Sequence, residues 1–121
     1  MLRVGLGERT LELLRAAVAD EETVARFRAK VLTVPGMDCL IFTGAVSGRG
    51  HGRFWLGHAD HRDIVVIAHR FTFALEHGIG ALLAVPVLGH RCDNPLCQRI
   101  GPGHVEPRPP PRRGIRVNQP D

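Results

Sequence analysis

Three cysteines constrain this chain more than any other feature of its sequence. Cys92 and Cys97 flank the turn sequence Asp-Asn-Pro-Leu, and Cys39 is the one remaining thiol. An odd number of cysteines argues against a disulfide framework, so metal ligation or catalysis is the better explanation. The spacing of Cys92 and Cys97 lets both sulfur atoms point at one ion.

The same segment also supplies a histidine. His104 follows Cys97 after a glycine-containing connection, and tetrahedral zinc takes four ligands that are typically Cys and His. A Cys3His site made of Cys39, Cys92, Cys97 and His104 would use every thiol in the chain. The alternative is that the thiols are ordinary buried side chains and that His104 is an incidental surface residue.

A metal staple would suit the composition of the chain. Aromatic residues make up 5% of the sequence and tyrosine is absent, so we expect a core built mainly from Leu, Val, Ile and Ala. A core with few large residues benefits from a metal or covalent cross-link. The 44% of hydrophobic and 23% of charged residues exclude wholesale disorder.

The N-terminal third is predicted to be helical. Leu11 to Val18 show helical spacing of apolar residues, and Asp20 is expected to cap a second helix that continues through Leu32. Pro35-Gly36 should end that helix.

The central part changes to short strands. Residues 39–43 and 53–56 are predicted to form a β-hairpin across the glycine-rich segment 44–52, and residues 64–68 a further strand. A helix from Phe71 is expected to end at Gly78. Residues 81–88 are predicted to form an edge strand, because they contain Pro86, and this strand leads to Gly89-His90.

The length of the chain suits one domain. We expect a single domain over residues 1–106, with a helical part at 1–34 and the zinc-bearing part at 37–106. Residues 107–121 carry five prolines and four arginines, which predicts an extended, Pro/Arg-rich tail.

Charge and hydropathy narrow the class of partner. No apolar run approaches the roughly 18–20 residues that a membrane span needs, and no apolar signal segment follows Met1, so we expect a cytoplasmic protein of a phage or bacterium. The net charge is +4, and nearly all the cations are arginines, which favour bidentate contact with phosphate. The arginines suit a nucleic-acid partner, although many proteins of this charge bind no nucleic acid. The hydropathy argues against a membrane.

Several motifs in chain order resemble the zinc-bearing branch of the His-Me finger (HNH) nucleases, which includes small homing endonucleases and phage enzymes. The resemblance covers residues 27–106 and includes a pre-motif helix at Phe27–Val31. The matching motifs are Cys39–Gly44, Gly50–Phe54, Ala68–Arg70, His90–Cys97 and His104-Val105.

This resemblance implies an α+β fold with a ββα-metal core and a structural zinc site, preceded by the N-terminal helices and the β-hairpin. It implies that His90 is the general base, since an imidazole can take a proton from water at neutral pH. The alternative is that His90 is a structural histidine. It also implies a catalytic Mg²⁺ or other divalent cation that neutralises the scissile phosphate. Asn94 matches an asparagine that braces the loop through backbone hydrogen bonds, although it could equally be a plain turn residue.

The sequence departs from the family pattern in two places. The connection from Cys97 to His104 is longer than usual, and its glycines and proline predict a bulged loop that still returns His104 to the metal. The family places a catalytic-metal ligand on a helix soon after the last zinc histidine. Here Asn118 is the candidate for that Mg²⁺ ligand, and the alternative is a polar residue of the tail.

Five arginines are candidate DNA contacts, namely Arg53, Arg70, Arg91, Arg112 and Arg113. Arg53 could instead be a solvated side chain, and Arg70 could form a structural ion pair.

Five histidines receive other interpretations. His51 lies in the glycine-rich segment, which tends to face DNA in the resembling proteins. His69 is expected to have a core or capping role and His77 to cap the end of its helix. His58 and His61 are expected to lie in a polar loop.

Three functions follow as alternatives. The first is a metal-dependent DNA endonuclease that hydrolyses phosphodiesters and either nicks one strand or, as a homodimer, cuts both. The second is a zinc-stabilised DNA-binding module that has lost nuclease activity, with phosphate contacts from the tail. The third is a small zinc-stabilised interaction domain that offers its Pro-rich tail to an aromatic groove.

Overall fold

The computed structural model describes residues 7–59, 61–85 and 87–108, which form an α+β fold and confirm the expected fold class at that level. The elements, in chain order, are α1 (Glu8–Ala19), α2 (Glu21–Arg28), β1 (Val31–Thr33), β2 (Leu40–Phe42), β3 (Arg53–Ala59), β4 (Arg62–Ile67), α3 (Ala68–His77), α4 (Ile79–Ala84), β5 (Val87–His90) and β6 (Val105–Arg108). The strands form three separate two-stranded antiparallel sheets, β1-β2, β3-β4 and β5-β6.

The starts of α1 and α2 agree with the prediction from sequence. Asp20 caps α2, since its carboxylate accepts a hydrogen bond from the Thr23 backbone N–H at 3.2 Å. The end of α2 differs from the prediction. The helix stops at Arg28, and Val31 and Leu32 lie in β1, paired with Phe42 and Ile41. Pairing with β2 satisfies the backbone of this segment in place of a helical continuation.

The predicted hairpin between residues 39–43 and 53–56 is wrong. The first segment, as β2, pairs with β1, and the second, as β3, pairs with the predicted strand at 64–68, which is β4. β4 follows β3 after two residues, so β3 pairs with it more readily than with β2, and the two strands share six paired positions.

The region after α3 also differs from the prediction. The helix from Phe71 to Gly78 is confirmed as part of α3, with Gly78 at a positive φ of 92° as its C-cap. Residues 79–84 form the helix α4 instead of a strand, because Ile79 and Leu82 turn to the core at helical spacing. Of the predicted strand at 81–88, Val87 and Leu88 lie in a strand, β5, which continues to His90.

Leu, Val, Ile and Ala supply most of the core residues, as expected, and phenylalanine rings lie at its centre. All five phenylalanines are buried. The rings of Phe27, Phe42, Phe54 and Phe71 pack together with centroid separations of 4.6–5.7 Å. Each ring buries a large apolar area, so a few of them suffice to centre a small core.

Strand β6 extends past the boundary at residue 106. Pro107 pairs with Leu88 and Arg108 with Val87. Arg91 and His104 form a hydrogen-bonded pair, since the Arg91 N–H donates to the His104 carbonyl at 2.8 Å. Hydrogen-bonded and non-hydrogen-bonded pairs alternate along an antiparallel ladder, so Leu88 and Pro107, three positions further along, form a non-hydrogen-bonded pair. The missing N–H of Pro107 therefore costs the sheet no bond. Arg112, Arg113 and Asn118 lie outside the described residues.

Within the described ranges, every helix is too short or too polar to cross a membrane.

Candidate metal centre and histidine cluster

The hairpin β5-β6 carries the loop on which most of the candidate residues lie. The loop leaves β5 at His90 and returns to β6 at Val105, and a backbone hydrogen bond between Arg91 and His104 closes it at 2.8 Å. Gly101 and Gly103 have φ values of 138° and 83°, which favour glycine, and they turn the long connection back towards β6. The loop thus returns His104 beside the cysteines, as expected.

Strand β2 brings Cys39 to this loop from a distant part of the sequence. The Phe42 N–H donates to the Leu96 carbonyl at 2.9 Å, and the Gln98 N–H donates to the Leu40 carbonyl at 2.7 Å. Ile41 lies opposite Cys97 in an isolated antiparallel bridge. These contacts fix the start of β2, and therefore Cys39, against the segment that carries Cys97.

Cys39, Cys92, Cys97 and His104 form a cluster whose ligand atoms all lie within 4.8 Å of one another. Nδ1 of His104 is 3.6 Å from Sγ of Cys39 and 3.6 Å from Sγ of Cys97. A tetrahedral zinc ion, with Zn–S of about 2.3 Å and Zn–N of about 2.0–2.1 Å, would separate sulfur from nitrogen by about 3.6 Å. The four residues can hold a metal ion such as zinc.

Cys39 and Cys92 have raised pKa values, so these two thiols favour their protonated form when no metal is bound. Burial raises the pKa of Cys39 from 9.0 to about 12, and the neighbouring thiols of Cys97 and Cys92 add to this rise. Burial also raises the pKa of Cys92, against a smaller lowering by a hydrogen bond from the Asn94 backbone. A divalent cation would supply the positive charge that three adjacent thiolates need.

Asn94 lies in the turn between Cys92 and Cys97. Its side-chain Oδ1 accepts a hydrogen bond from the Leu96 N–H at 3.1 Å, and its carbonyl accepts one from the Cys97 N–H at 3.0 Å. Asp93, next to it, has a φ of 57°. Asn94 therefore holds the turn by local backbone hydrogen bonds of the kind that asparagine commonly makes.

His90, at the end of β5, is 3% exposed and lies directly beside the metal centre. Its Nε2 is 3.0 Å from the carbonyl oxygen of Cys97. A carbonyl can only accept, so Nε2 carries the hydrogen of this bond, and Nδ1 is the basic nitrogen of the neutral ring. Cys97 thus contributes its sulfur to the cluster and its carbonyl to His90.

Two further histidines lie beside His90, and no sequence motif indicates this arrangement. The ring centroids of His69 and His90 are 4.4 Å apart, and that of His51 is 5.8 Å from His69 and 6.3 Å from His90. His51 and His69 are 1% and 2% exposed. The three positions are far apart in sequence, so only tertiary structure reveals the group, which we call the histidine cluster (His51, His69 and His90).

The candidate DNA-contacting arginines differ in their placement. Arg53 is exposed at the start of β3 and lines a surface groove together with Arg49 and His51. Arg91 is exposed on the metal loop and forms an ion pair with Glu106 at 3.0 Å. Arg70 is 8% exposed, within α3.

The remaining histidines lie apart from the metal centre. His58 forms an ion pair of 3.1 Å with Asp63 on the neighbouring strand, and His61 lies in the turn after β3 with a φ of 64°. His77 is the last residue of α3, is exposed, and packs on Phe73 with the ring centroids 4.8 Å apart.

Comparison with known proteins gives one similarity. Protein 7.7 of Escherichia phage T7 is 35% identical to this chain over 63 residues, which are 52% of the chain and 43% of the phage protein. The aligned part thus spans less than half of the phage protein. No family model and no solved structure matches the chain.

Proposed function

We propose that this protein is a metal-dependent DNA endonuclease of the His-Me finger type. In this proposal β5 and β6 are the two strands of the ββα-metal core, and Cys39, Cys92, Cys97 and His104 hold a structural zinc ion. The observation that carries the proposal is the 3.0 Å contact between Nε2 of His90 and the Cys97 carbonyl. This contact ties a histidine with a defined basic nitrogen to the rigid metal loop.

The chemistry assigned to His90 is general-base catalysis. Nδ1 of His90 takes a proton from water, the water oxygen bonds to phosphorus, and the bond from phosphorus to the 3′ oxygen breaks. The products are a 5′-phosphate and, once the leaving oxygen takes up a proton, a 3′-hydroxyl. A bound Mg²⁺ would neutralise charge on the phosphate, and Asn118, outside the described residues, is its proposed ligand.

The proposal of DNA as substrate is supported by charge. The chain has a net charge of +4, and Arg53 and Arg49 line a groove whose wall includes His51. His51 belongs to the histidine cluster, so this groove lies next to the proposed base. Exposed arginines at such a place suit bidentate contacts to backbone phosphates.

A supercoiled-plasmid assay with Mg²⁺ tests the proposal. We expect wild-type protein to nick the plasmid and His90→Ala to lower the rate by about 10²- to 10⁴-fold, the usual contribution of a general base. His77→Ala, an exposed histidine on α3, is the matched control and should cut at the wild-type rate. Zinc content and circular dichroism of all three proteins should be equal. A His90→Ala protein that cuts as fast as wild type would refute the assignment of the base.

One observation favours a second candidate, a zinc-stabilised DNA-binding module without nuclease activity. His90 is 3% exposed, which is typical of a structural histidine as well as of an enclosed base. Gel-shift binding of the plasmid without nicking, in either Mg²⁺ or Mn²⁺, would establish this alternative and exclude the endonuclease.

A further inference from the structure

Three imidazole rings lie together in the interior of a small protein whose other buried side chains are mostly apolar. His51, His69 and His90 are 1%, 2% and 3% exposed. Burying a polar group costs about 1–3 kcal/mol unless hydrogen bonds compensate, and phenylalanine would fill similar space without that cost. The core already packs phenylalanine at five positions. A role in chemistry explains three buried histidines better than packing does.

The fold aligns these residues through backbone contacts. The Ala68 N–H, at the start of α3, donates to the Gly52 carbonyl at 2.8 Å. This bond joins the residue before His69 to the residue after His51. Nε2 of His69 is 3.3 Å from the carbonyl of Leu88, so its N–H donates to β5 two positions before His90. His69 is therefore anchored to the strand that carries His90.

The Leu88 carbonyl is available to His69 because of the strand register. Leu88 and Pro107 form a non-hydrogen-bonded pair, so the Leu88 carbonyl points away from β6. The His69 ring then lies edge-on to that of His90, with an interplanar angle of 73°. This T-shaped packing restricts rotation of the His90 ring in addition to the hydrogen bond from Nε2 of His90 to the Cys97 carbonyl.

We propose that His69, supported by His51, is a positioning residue that fixes the orientation of the His90 imidazole. The proposal rests on the proposed function, in which His90 acts on water. His69 donates a hydrogen bond to β5 and packs its ring against His90. The ring of His51 lies beside both of the other rings. Neither histidine exchanges a proton with substrate in this proposal.

Substitutions at His69 separate positioning from stability. In His69→Ala we expect kcat for nicking to fall by about 10- to 100-fold, because small misplacements of a catalytic group have effects of that size, while KM changes by less than about twofold. His69→Phe keeps a ring against His90 without the bond to Leu88 and should show an intermediate rate. His51→Ala should lower kcat in the same direction by a smaller factor. His77→Ala, on the same helix, should retain wild-type kcat.

The direct readout is the ring N–H of His90 in protein labelled with ¹⁵N-histidine. We expect a slowly exchanging Nε2–H signal in wild type, because that proton is bonded to the Cys97 carbonyl and buried. In His69→Ala the signal should exchange faster, with one zinc per chain retained. A merely structural role would lower the melting temperature of His69→Ala and leave both kcat and the His90 signal unchanged, and that result would overturn the proposal.

The exchange rate of the His90 ring N–H tests the positioning role of His69 separately from the proposed nuclease activity. If wild-type protein cuts no DNA, the proposed function fails, and the His90 ring signal still decides whether His69 positions His90. Unchanged exchange in His69→Ala would refute positioning even if wild-type protein is an active nuclease.

Discussion

Cys97 connects the metal-ligand cluster to His90. Its side chain is fully buried with Sγ in the metal-ligand cluster, its carbonyl accepts from His90, and its N–H donates to the Asn94 carbonyl. Loss of metal from the cluster would loosen the loop and, through the same residue, the hydrogen bond that fixes His90. The metal centre and the proposed base are therefore expected to respond together.

The first prediction concerns His104, the one imidazole ligand of the cluster. His104→Ala should weaken zinc affinity by more than about 100-fold, since substitutions that only touch outer-shell partners already cost about 10- to 100-fold. Competition with a colorimetric chelator measures this affinity. His77→Ala is the control and should bind zinc like wild type, and stoichiometric tight zinc in His104→Ala would show that the ligand set is wrong.

The second prediction concerns pH and follows from the raised thiol pKa of Cys39. In the metal-free fold the buried thiol keeps its proton up to a pKa of about 12, whereas an unfolded thiol ionises near 8.5. Stability contributed by this difference is present below the unfolded pKa and is lost as pH rises towards the folded pKa. Zinc holds the thiolate form, so zinc-loaded protein should not lose stability in that way.

Urea unfolding at pH 7 and pH 10, with and without a chelator, measures this difference. We expect the gap in unfolding free energy between loaded and chelated protein to widen at pH 10. Equal gaps at both pH values would show that the Cys39 thiol does not ionise on metal binding.

At the scale of elements, the close approach of β2, α3 and β3 at Gly52 determines where His51 lies relative to α3. Gly52 lies between β2, α3 and the start of β3, and a Cβ built there would lie 2.5 Å from the Phe42 ring and 2.9 Å from Cβ of Ala68. The Gly52 carbonyl also accepts from Ala68. The absence of a side chain at residue 52 therefore sets the distance between His51 and α3.

The third prediction tests this contact. Gly52→Ala should lower the unfolding free energy by about 1–3 kcal/mol, the usual cost of overpacking, because neither the ring nor the helix start can move freely. Gly48→Ala is the matched control, since a Cβ there meets nothing within 4 Å. Chemical denaturation compares the two, and equal stabilities would mean that the segments around Gly52 can shift apart without cost.

At the scale of the whole molecule, the apolar core and the positively charged groove are made of different residues. The core is centred on phenylalanines from two helices and two strands, whereas the exposed arginines Arg49 and Arg53 line the groove beside the histidine cluster. Proposed DNA binding would therefore place the phosphate backbone along this groove, over the metal-bearing side of the fold. Such binding should weaken as salt displaces the protein from phosphates.

The fourth prediction measures that salt dependence. If Arg53 contacts a phosphate, Arg53→Ala should reduce the slope of log K against log salt by about one, with no dependence on DNA sequence. Arg15→Ala removes the same charge from an exposed position on α1 and should leave the slope unchanged. Fluorescence anisotropy with a labelled duplex at several salt concentrations gives both slopes. Identical slopes in wild type and Arg53→Ala would remove Arg53 from the interface.

Much of the candidate metal centre could be predicted because its ligands are marked by residue type. Cys92, Cys97 and His104 lie on one loop, and Cys39 was the only thiol left to join them. Helices α1 and α3 were also predictable, because their apolar spacing and end signals are local. Strand pairing was not predictable. Val31 and Leu32 continue the helical spacing of α2, so the sequence did not indicate β1, and the pairing of β1 with β2 depended on contacts formed in the folded chain.

The sequence by itself therefore determined the α+β class, the helices with strong local signals and the set of residues able to hold a metal. Only the tertiary structure decided which strands pair, that four phenylalanine rings pack together within the core, and that His51 and His69 lie beside His90. The physical reason is the separation in sequence of the residues that interact. Helical spacing and metal-ligand chemistry are marked by neighbouring residues and distinctive side chains. Strand pairing and the histidine cluster depend on how separate segments of the chain pack against one another.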